Sequence, residues 1–176
     1  ELEERTTIAR IQTHGEKSAA YMADGYSRAS NRPSVCMAQV IGAMNLAAGL
    51  RDPYLAKSPV LAFTGGRIPQ TKFRKVYQEI DDVPSFEQVT KFNATIDDAG
   101  RIPDMVRQAF RVATSGTPGP VHLQFAGNEG QVDRGEADME VLVEHDFDHL
   151  PPFRPEPELE RVKAAVKILS EAKKPV

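Results

Sequence analysis

Three groups of residues have the types and spacing to do chemistry. Glu16 stands where Ile11-Gln12-Thr13-His14-Gly15 runs into a helical pattern, so its carboxylate lies in a helix's first turn, where the macrodipole favours an acid. In a poorly solvated pocket such a carboxyl holds its proton more tightly and can share it near neutral pH. The run Gln39-Val40-Ile41-Gly42-Ala43-Met44-Asn45 leads from a strand end into a helix start, the place where open α/β sheets hold ligands. Gln78 adds an amide on a polar loop.

Other clusters read as structure. Glu144, His145, Asp146, Asp148 and His149 include a histidine pair at i,i+4 spacing, but no further ligand frames a metal site, and the stretch reads as a solvated acidic linker. Arg67, Lys72, Arg74 and Lys75 read as a solvated basic loop face. Cys36 sits in an apolar strand as a small core residue, not a nucleophile. The chain has neither a Gly-x-Gly-x-x-Gly fingerprint nor a Walker loop, so a nucleotide enzyme has no support.

The elements that position these residues alternate. Ala19, Ala20, Met22, Ala23, Tyr26 and Ala29 mark a helix over 17–30, broken at Asn31-Arg32-Pro33, and the strand 34–38 follows. Ala43, Leu46, Ala47, Leu50 and Tyr54 mark a second helix that Pro53 kinks or ends. The apolar strand 59–63 stops at Gly65-Gly66, and 67–87 is polar loop with room for a short helix. A strand over 91–96, a helix over 102–113 with Pro103 early, and a strand over 121–125 complete the pattern. Such alternation predicts an α/β fold, three layers with a mainly parallel sheet covered on both faces. Gly25, inside the first helix at a cost of ~1 kcal/mol relative to Ala, implies a close approach there, and the small residues at 19, 20, 23 and 25 allow tight packing.

The acidic, Pro-containing stretch 127–155 reads as a linker, and 156–176 as the opening of a further domain. The 176 residues are 40% hydrophobic and 27% charged with a net charge of −3, so nothing global points to nucleic acid or an anionic membrane. One cysteine excludes an internal disulfide framework, and no apolar run reaches the ~20 residues that span a bilayer. A cytoplasmic protein is the expectation.

The run Glu16-Lys17-Ser18-Ala19-Ala20-Tyr21-Met22-Ala23-Asp24-Gly25-Tyr26-Ser27-Arg28-Ala29 resembles the signature helix of thiamine-diphosphate-dependent enzymes of the acetohydroxyacid synthase and pyruvate decarboxylase superfamily. In that family a glutamate stands eight positions before Asp-Gly-Tyr, as Glu16 stands before Asp24. The likeness continues through Gly42-Ala43-Met44-Asn45-Leu46, Ser58-Pro59-Val60-Leu61-Ala62-Phe63-Thr64-Gly65, Tyr77-Gln78-Glu79-Ile80-Asp81 and Gly116-Thr117-Pro118-Gly119-Pro120-Val121. Five ordered matches carry far more weight than any one.

The resemblance implies a pyrimidine-binding (Pyr) domain over 1–126, lacking the family's usual N-terminal strand. It implies that Glu16 hydrogen-bonds a pyrimidine nitrogen of thiamine diphosphate and promotes the tautomer that generates the reactive ylide. Gly42 and Asn45 would join it on the cofactor, while Gln39, Val40, Ile41 and Gln78 would face the substrate. Gln39-Val40-Ile41 departs from the family's longer Thr-Ser-Gly-Pro-Gly loop, which leaves the substrate open. The family holds the diphosphate through magnesium (Mg) on a Gly-Asp-Gly motif in a separate domain. This chain has no such motif, so it is expected to be one part of a longer enzyme. The implied partners are a 2-oxo acid substrate and further copies in a homo-oligomer, dimer or tetramer, with FAD an open option in the full-length enzyme. A non-catalytic binding or assembly module that kept the fold is the alternative. Glu16 separates the two, because a degenerate copy has no physical reason to keep a buried acid.

Overall fold

In the computed structural model, residues 6–67, 69–127 and 140–175 are described. Helix α1 (Glu16–Ser30) buries one narrow stripe, Ala20, Ala23, Asp24 and Ser27, and ends at Asn31, whose left-handed backbone (φ 55°) closes the last turn onto Ser27 O. Strand β1 (Ser34–Ala38) follows, then a 3₁₀ turn (Val40–Gly42) that feeds helix α2 (Ala43–Gly49).

Helix α3 (Arg51–Ala56) begins after a break at Leu50. The interruption falls upstream of Pro53 because a proline cannot donate to the carbonyl four residues back, Gly49, and its ring crowds that carbonyl. Strand β2 (Val60–Gly65) runs through Gly65, two residues beyond the apolar run, because Gly65 still pairs with Phe125. The polar stretch that follows holds a short 3₁₀ turn at Val83–Phe86. Strand β3 (Phe92–Ile96), helix α4 (Ile102–Thr114) and strand β4 (Val121–Phe125) complete the sheet.

The four strands are parallel, in the order β1-β2-β4-β3. Alternation divides their side chains between two cores. Cys36, Val60 and Ala62 face α1 and α2, with Ala20, Ala23, Leu46, Leu50 and Phe86. Leu61, Val121, Leu123 and Ile96 face α4, with Ala109 and Ala113. This is the expected three-layer α/β arrangement with a mainly parallel sheet.

Two sequence expectations need correction. Gly25 has nothing within 4 Å of where a Cβ would stand, so the close approach is not there within this chain. It occurs at Gly49, where a Cβ would lie 2.7 Å from Ala20 Cβ and 2.9 Å from Lys17 O, and this pins α2 against α1. In the basic loop, Lys72, Arg74 and Lys75 are exposed as expected, but Arg67 is half-buried. It follows β2, one of the two central strands, and its Nε and Nη2 are buried.

Residues 128–139 of the expected linker lie outside the described residues. Its later part is pinned to the domain: Glu144 takes a bidentate pair from Arg111 of α4, Asp148 pairs with Arg32, and Leu150 N–H donates to Asn31 O at 2.8 Å. Helix α5 (Leu159–Glu171) leaves Leu159, Val162, Val166 and Leu169 exposed. No helix of the described residues is long and apolar enough to cross a membrane.

Candidate functional site

The carboxyl ends of parallel strands are where this architecture gathers loops and helix starts, and the predicted residues divide between them. Glu16 opens α1, Gly42 precedes α2 and Asn45 lies in the first turn of α2. Gly49, at the end of α2, packs on Lys17 and Ala20 of α1, while at the other end of α2 Gly42 and Asn45 meet Glu16. Asn45 Nδ2 donates to Glu16 Oε2 at 3.3 Å. A Cβ on Gly42 would stand 2.5 to 2.6 Å from Glu16 Cγ, Cδ and Oε1, so only glycine lets the carboxylate lie there. The Asn45 amide and the bare backbone of Gly42 therefore hold a single carboxylate at the start of α1.

The carboxylate is half-buried within this chain, not sealed in a dry pocket as the sequence suggested. The reason is position: it lies on an open rim above the strand ends, with no covering element on its outer side among the described residues.

The predicted substrate-side residues scatter. Val40 is 1% exposed, its side chain inside the chain, whereas Ile41 is 62% exposed and faces outward. Gln39 lines a cavity of about 460 Å³ with Met37, Ala38, Phe63, Thr64, Gly65 and Phe125. Phe63 and Phe125 pack toward α4, whereas Ala38 packs with the α1 and α2 core and Thr64 bonds His122 on that face, so this cavity is lined from both faces of the sheet at the strand ends. Gln78 sits apart on the loop with a left-handed backbone (φ 61°), and its Oε1 is buried with no hydrogen-bond partner among the described residues. Phe73 (φ 68°) and Lys75 (φ 51°) are left-handed too, so three non-glycine residues within six positions carry that strain. Glu79 holds the loop by accepting from the N–H groups of Phe73 and Val76 at 2.6 and 3.0 Å.

A polar row under the site was not found from sequence. Cys36, Ala62, His122 and Asn93 are register partners across the four strands. Val83 O can only accept, so Asn93 donates to it through Nδ2 at 2.6 Å and turns Oδ1 toward His122 Nδ1 at 2.6 Å. His122 therefore carries its proton on Nδ1, and Nε2 accepts from Thr64 Oγ1 at 2.8 Å. Phe86 stacks on the imidazole at 3.5 Å. Burial lowers the His122 pKa to about 3, so the ring stays neutral. Its effect is to fix Thr64 at the carboxyl end of β2. The available signal was polar residues at matching strand positions, which shows only once the register is known.

Elsewhere, burial pushes the Cys36 thiol up to about 12, which makes it inert. Asp82 is 1% exposed, its Oδ2 has no hydrogen-bond partner among the described residues, and burial, reinforced by Asp81, raises its pKa to about 6. Among the described residues no group of three or more His, Cys, Asp or Glu could hold a metal ion. Glu144 and Asp148 are instead in ion pairs with Arg111 and Arg32.

Residues 1–85 match the family described as thiamine pyrophosphate enzyme, N-terminal TPP binding domain. The chain is 36% identical over 172 residues to a "Probable acetolactate synthase large subunit" of Methanocaldococcus jannaschii, a match covering 96% of this chain and 29% of that protein. It is 33% identical over 174 residues to "Acetolactate synthase 3, chloroplastic" of Brassica napus, covering 97% and 26% respectively. The chain thus spans less than a third of the length of these relatives. A solved structure described as "X-ray structure of a putative thiamin diphosphate-dependent enzyme isolated from Mycobacterium smegmatis" superposes with a TM-score of 0.68, covering 92% of this chain and 30% of that one. At 22% identity that last likeness is one of fold.

Proposed function

We propose a function from the premise that this chain belongs to the thiamine pyrophosphate enzymes through their N-terminal TPP binding domain. It is the module that receives the pyrimidine end of thiamine diphosphate in an acetolactate-synthase-like enzyme acting on 2-oxo acids. Glu16 is its activating acid. The observation that supports this is the Glu16 carboxylate held against Gly42 and Asn45 above the strand ends.

The residues fit an aminopyrimidine. Such a ring is flat and presents ring nitrogens, and Gly42 puts no side chain between it and the acid. Asn45 engages Oε2, which leaves Oε1, the oxygen against Gly42, to share a proton with a ring nitrogen. Asparagine also cannot compete for that proton, because its amide does not titrate. When bound, thiamine diphosphate supplies the carbanion chemistry, and the protein positions and tunes it. The open outer side of Glu16 is closed in this reading by a second protein surface, in a homo-oligomer, dimer or tetramer. That closure dries the carboxyl and raises its proton affinity.

The diphosphate is neutralised through magnesium held by a domain that carries the Gly-Asp-Gly motif lacking here. FAD remains an option of the full-length enzyme to which no residue of this chain is assigned. We propose a cytoplasmic location from the one cysteine of this chain, a free and buried thiol that suits a reducing compartment, although the Brassica napus relative is described as chloroplastic.

The test is turnover by the full-length enzyme with thiamine diphosphate, magnesium and a panel of 2-oxo acids headed by pyruvate. Release of carbon dioxide is expected, with the second product, a protonated aldehyde or a joined hydroxy-oxo acid, telling decarboxylase from carboligase. No release from any 2-oxo acid overturns the reading. The 176-residue chain by itself is expected to bind the cofactor weakly, so tight magnesium-dependent binding in calorimetry would contradict the divided site.

A further inference from the structure

Arg67 follows Gly65 and Gly66 at the carboxyl end of β2, two residues beyond the lining of the 460 Å³ cavity. Its Nε and Nη2 are both buried, and among the described residues neither has a hydrogen-bond partner. Two buried, unpartnered donors on a permanent cation are uncommon, because each gave up hydration without compensation. The two nitrogens form one edge of the guanidinium, and that edge has a consistent use in this protein. Arg28 donates through Nε and Nη2 to both oxygens of Asp24, and Arg111 does the same to Glu144. Arg101 likewise turns Nε and Nη2 toward Asp104. Only at Arg67, among these four, does the edge face no carboxylate of the described residues.

We propose that Arg67 is a specificity residue that takes the carboxylate of the 2-oxo acid substrate, side-on through Nε and Nη2. The planar fork matches two carboxylate oxygens, which a lysine ammonium cannot reproduce. The residue as a whole is half-buried, and in this proposal its flexible side chain turns the edge outward, toward the strand ends, when the carboxylate binds. Gln39, on the same cavity, stands at the neighbouring strand end. The inference rests on the proposed 2-oxo acid activity for the identity of the ligand, though not for the carboxylate chemistry.

In the full-length enzyme, Arg67→Met and Arg67→Lys are compared with the unaltered protein for KM and kcat with pyruvate, for the activation constant of thiamine diphosphate, and for the melting temperature of the unliganded protein. Arg67→Met is expected to raise KM by about 30-fold or more, with a smaller change in kcat. Arg67→Lys should recover only part of that loss, and the cofactor constant should be unchanged. The melting temperature should stay level or rise, since a buried unpaired charge is removed, whereas a structural arginine would lower it. An unchanged KM, full rescue by lysine, or an effect on the cofactor constant alone overturns the proposal. If the unaltered enzyme turns over no 2-oxo acid, the proposed function fails, and calorimetry with pyruvate decides the carboxylate site separately. Binding lost in Arg67→Met keeps the site; equal or absent binding overturns it.

Discussion

Glu16 and Gly42 are coupled through space as tightly as any two residues of the site, since a single methyl on Gly42 would overlap the carboxylate. Gly42→Ala is therefore expected to push Glu16 aside while leaving the buried cores untouched. A displacement of the order of an ångström costs about 100-fold in a positioned reaction, so turnover in the full-length enzyme should fall by that much with little change in melting temperature. Turnover within a few-fold of normal would show that the carboxylate need not lie against residue 42. At this scale the sequence was informative where residues near in the chain or in a motif carried the signal. That Glu16, Gly42 and Asn45 stand at helix starts was legible from local pattern, while their roles toward a cofactor came from the resemblance and stand as the proposal. Arg67 and His122 were not, because what distinguishes them is a missing partner in one case and a cross-strand register in the other.

The helices and strands followed from periodicity, and most boundaries fell within a residue or two of the pattern. Where they did not, the cause was non-local. Strand β2 continues into Gly65 because β4 pairs with it, and the close helix approach lies at Gly49 because α1 and α2 meet there, not at Gly25. The order β1-β2-β4-β3, with β3 at the edge, could not be read from four similar apolar runs. Gly49→Ala is expected to overpack the α1–α2 contact and cost roughly 1–3 kcal/mol, read as a lower denaturation midpoint with an unchanged slope. Gly25→Ala, with open space around it, should stabilise the isolated chain slightly through helix propensity. Equal effects from the two substitutions would contradict the packing described.

Across the whole molecule, two buried groups set opposing dependences on pH. Asp82 binds its proton more tightly folded, at about 6, than at its ordinary 3.8, so its contribution is full below 3.8 and lost as pH rises through 6. Fully ionised, it costs the fold on the order of 3 kcal/mol. His122 behaves in reverse. Its folded pKa of about 3 lies below the ordinary 6.5, so its contribution is present above 6.5 and is lost as pH falls toward 3. Between about pH 4 and 6 the two slopes offset each other. Asp82→Asn should melt higher than the unaltered chain at pH 7, lose that advantage toward pH 4, and show a steeper acid decline. Parallel melting profiles across that range would remove Asp82 from the balance.

The most direct measurement is proton exchange at the reactive thiazolium carbon of the bound cofactor, followed by deuterium incorporation in the full-length enzyme and its Glu16→Gln variant. Glutamine keeps the shape and the hydrogen bond but cannot pass a proton, so exchange is expected to slow by about 10²–10⁴-fold while cofactor binding persists. Exchange at an unaltered rate in a variant that still binds the cofactor would mean that the carboxylate beside Gly42 and Asn45 takes no part in the chemistry.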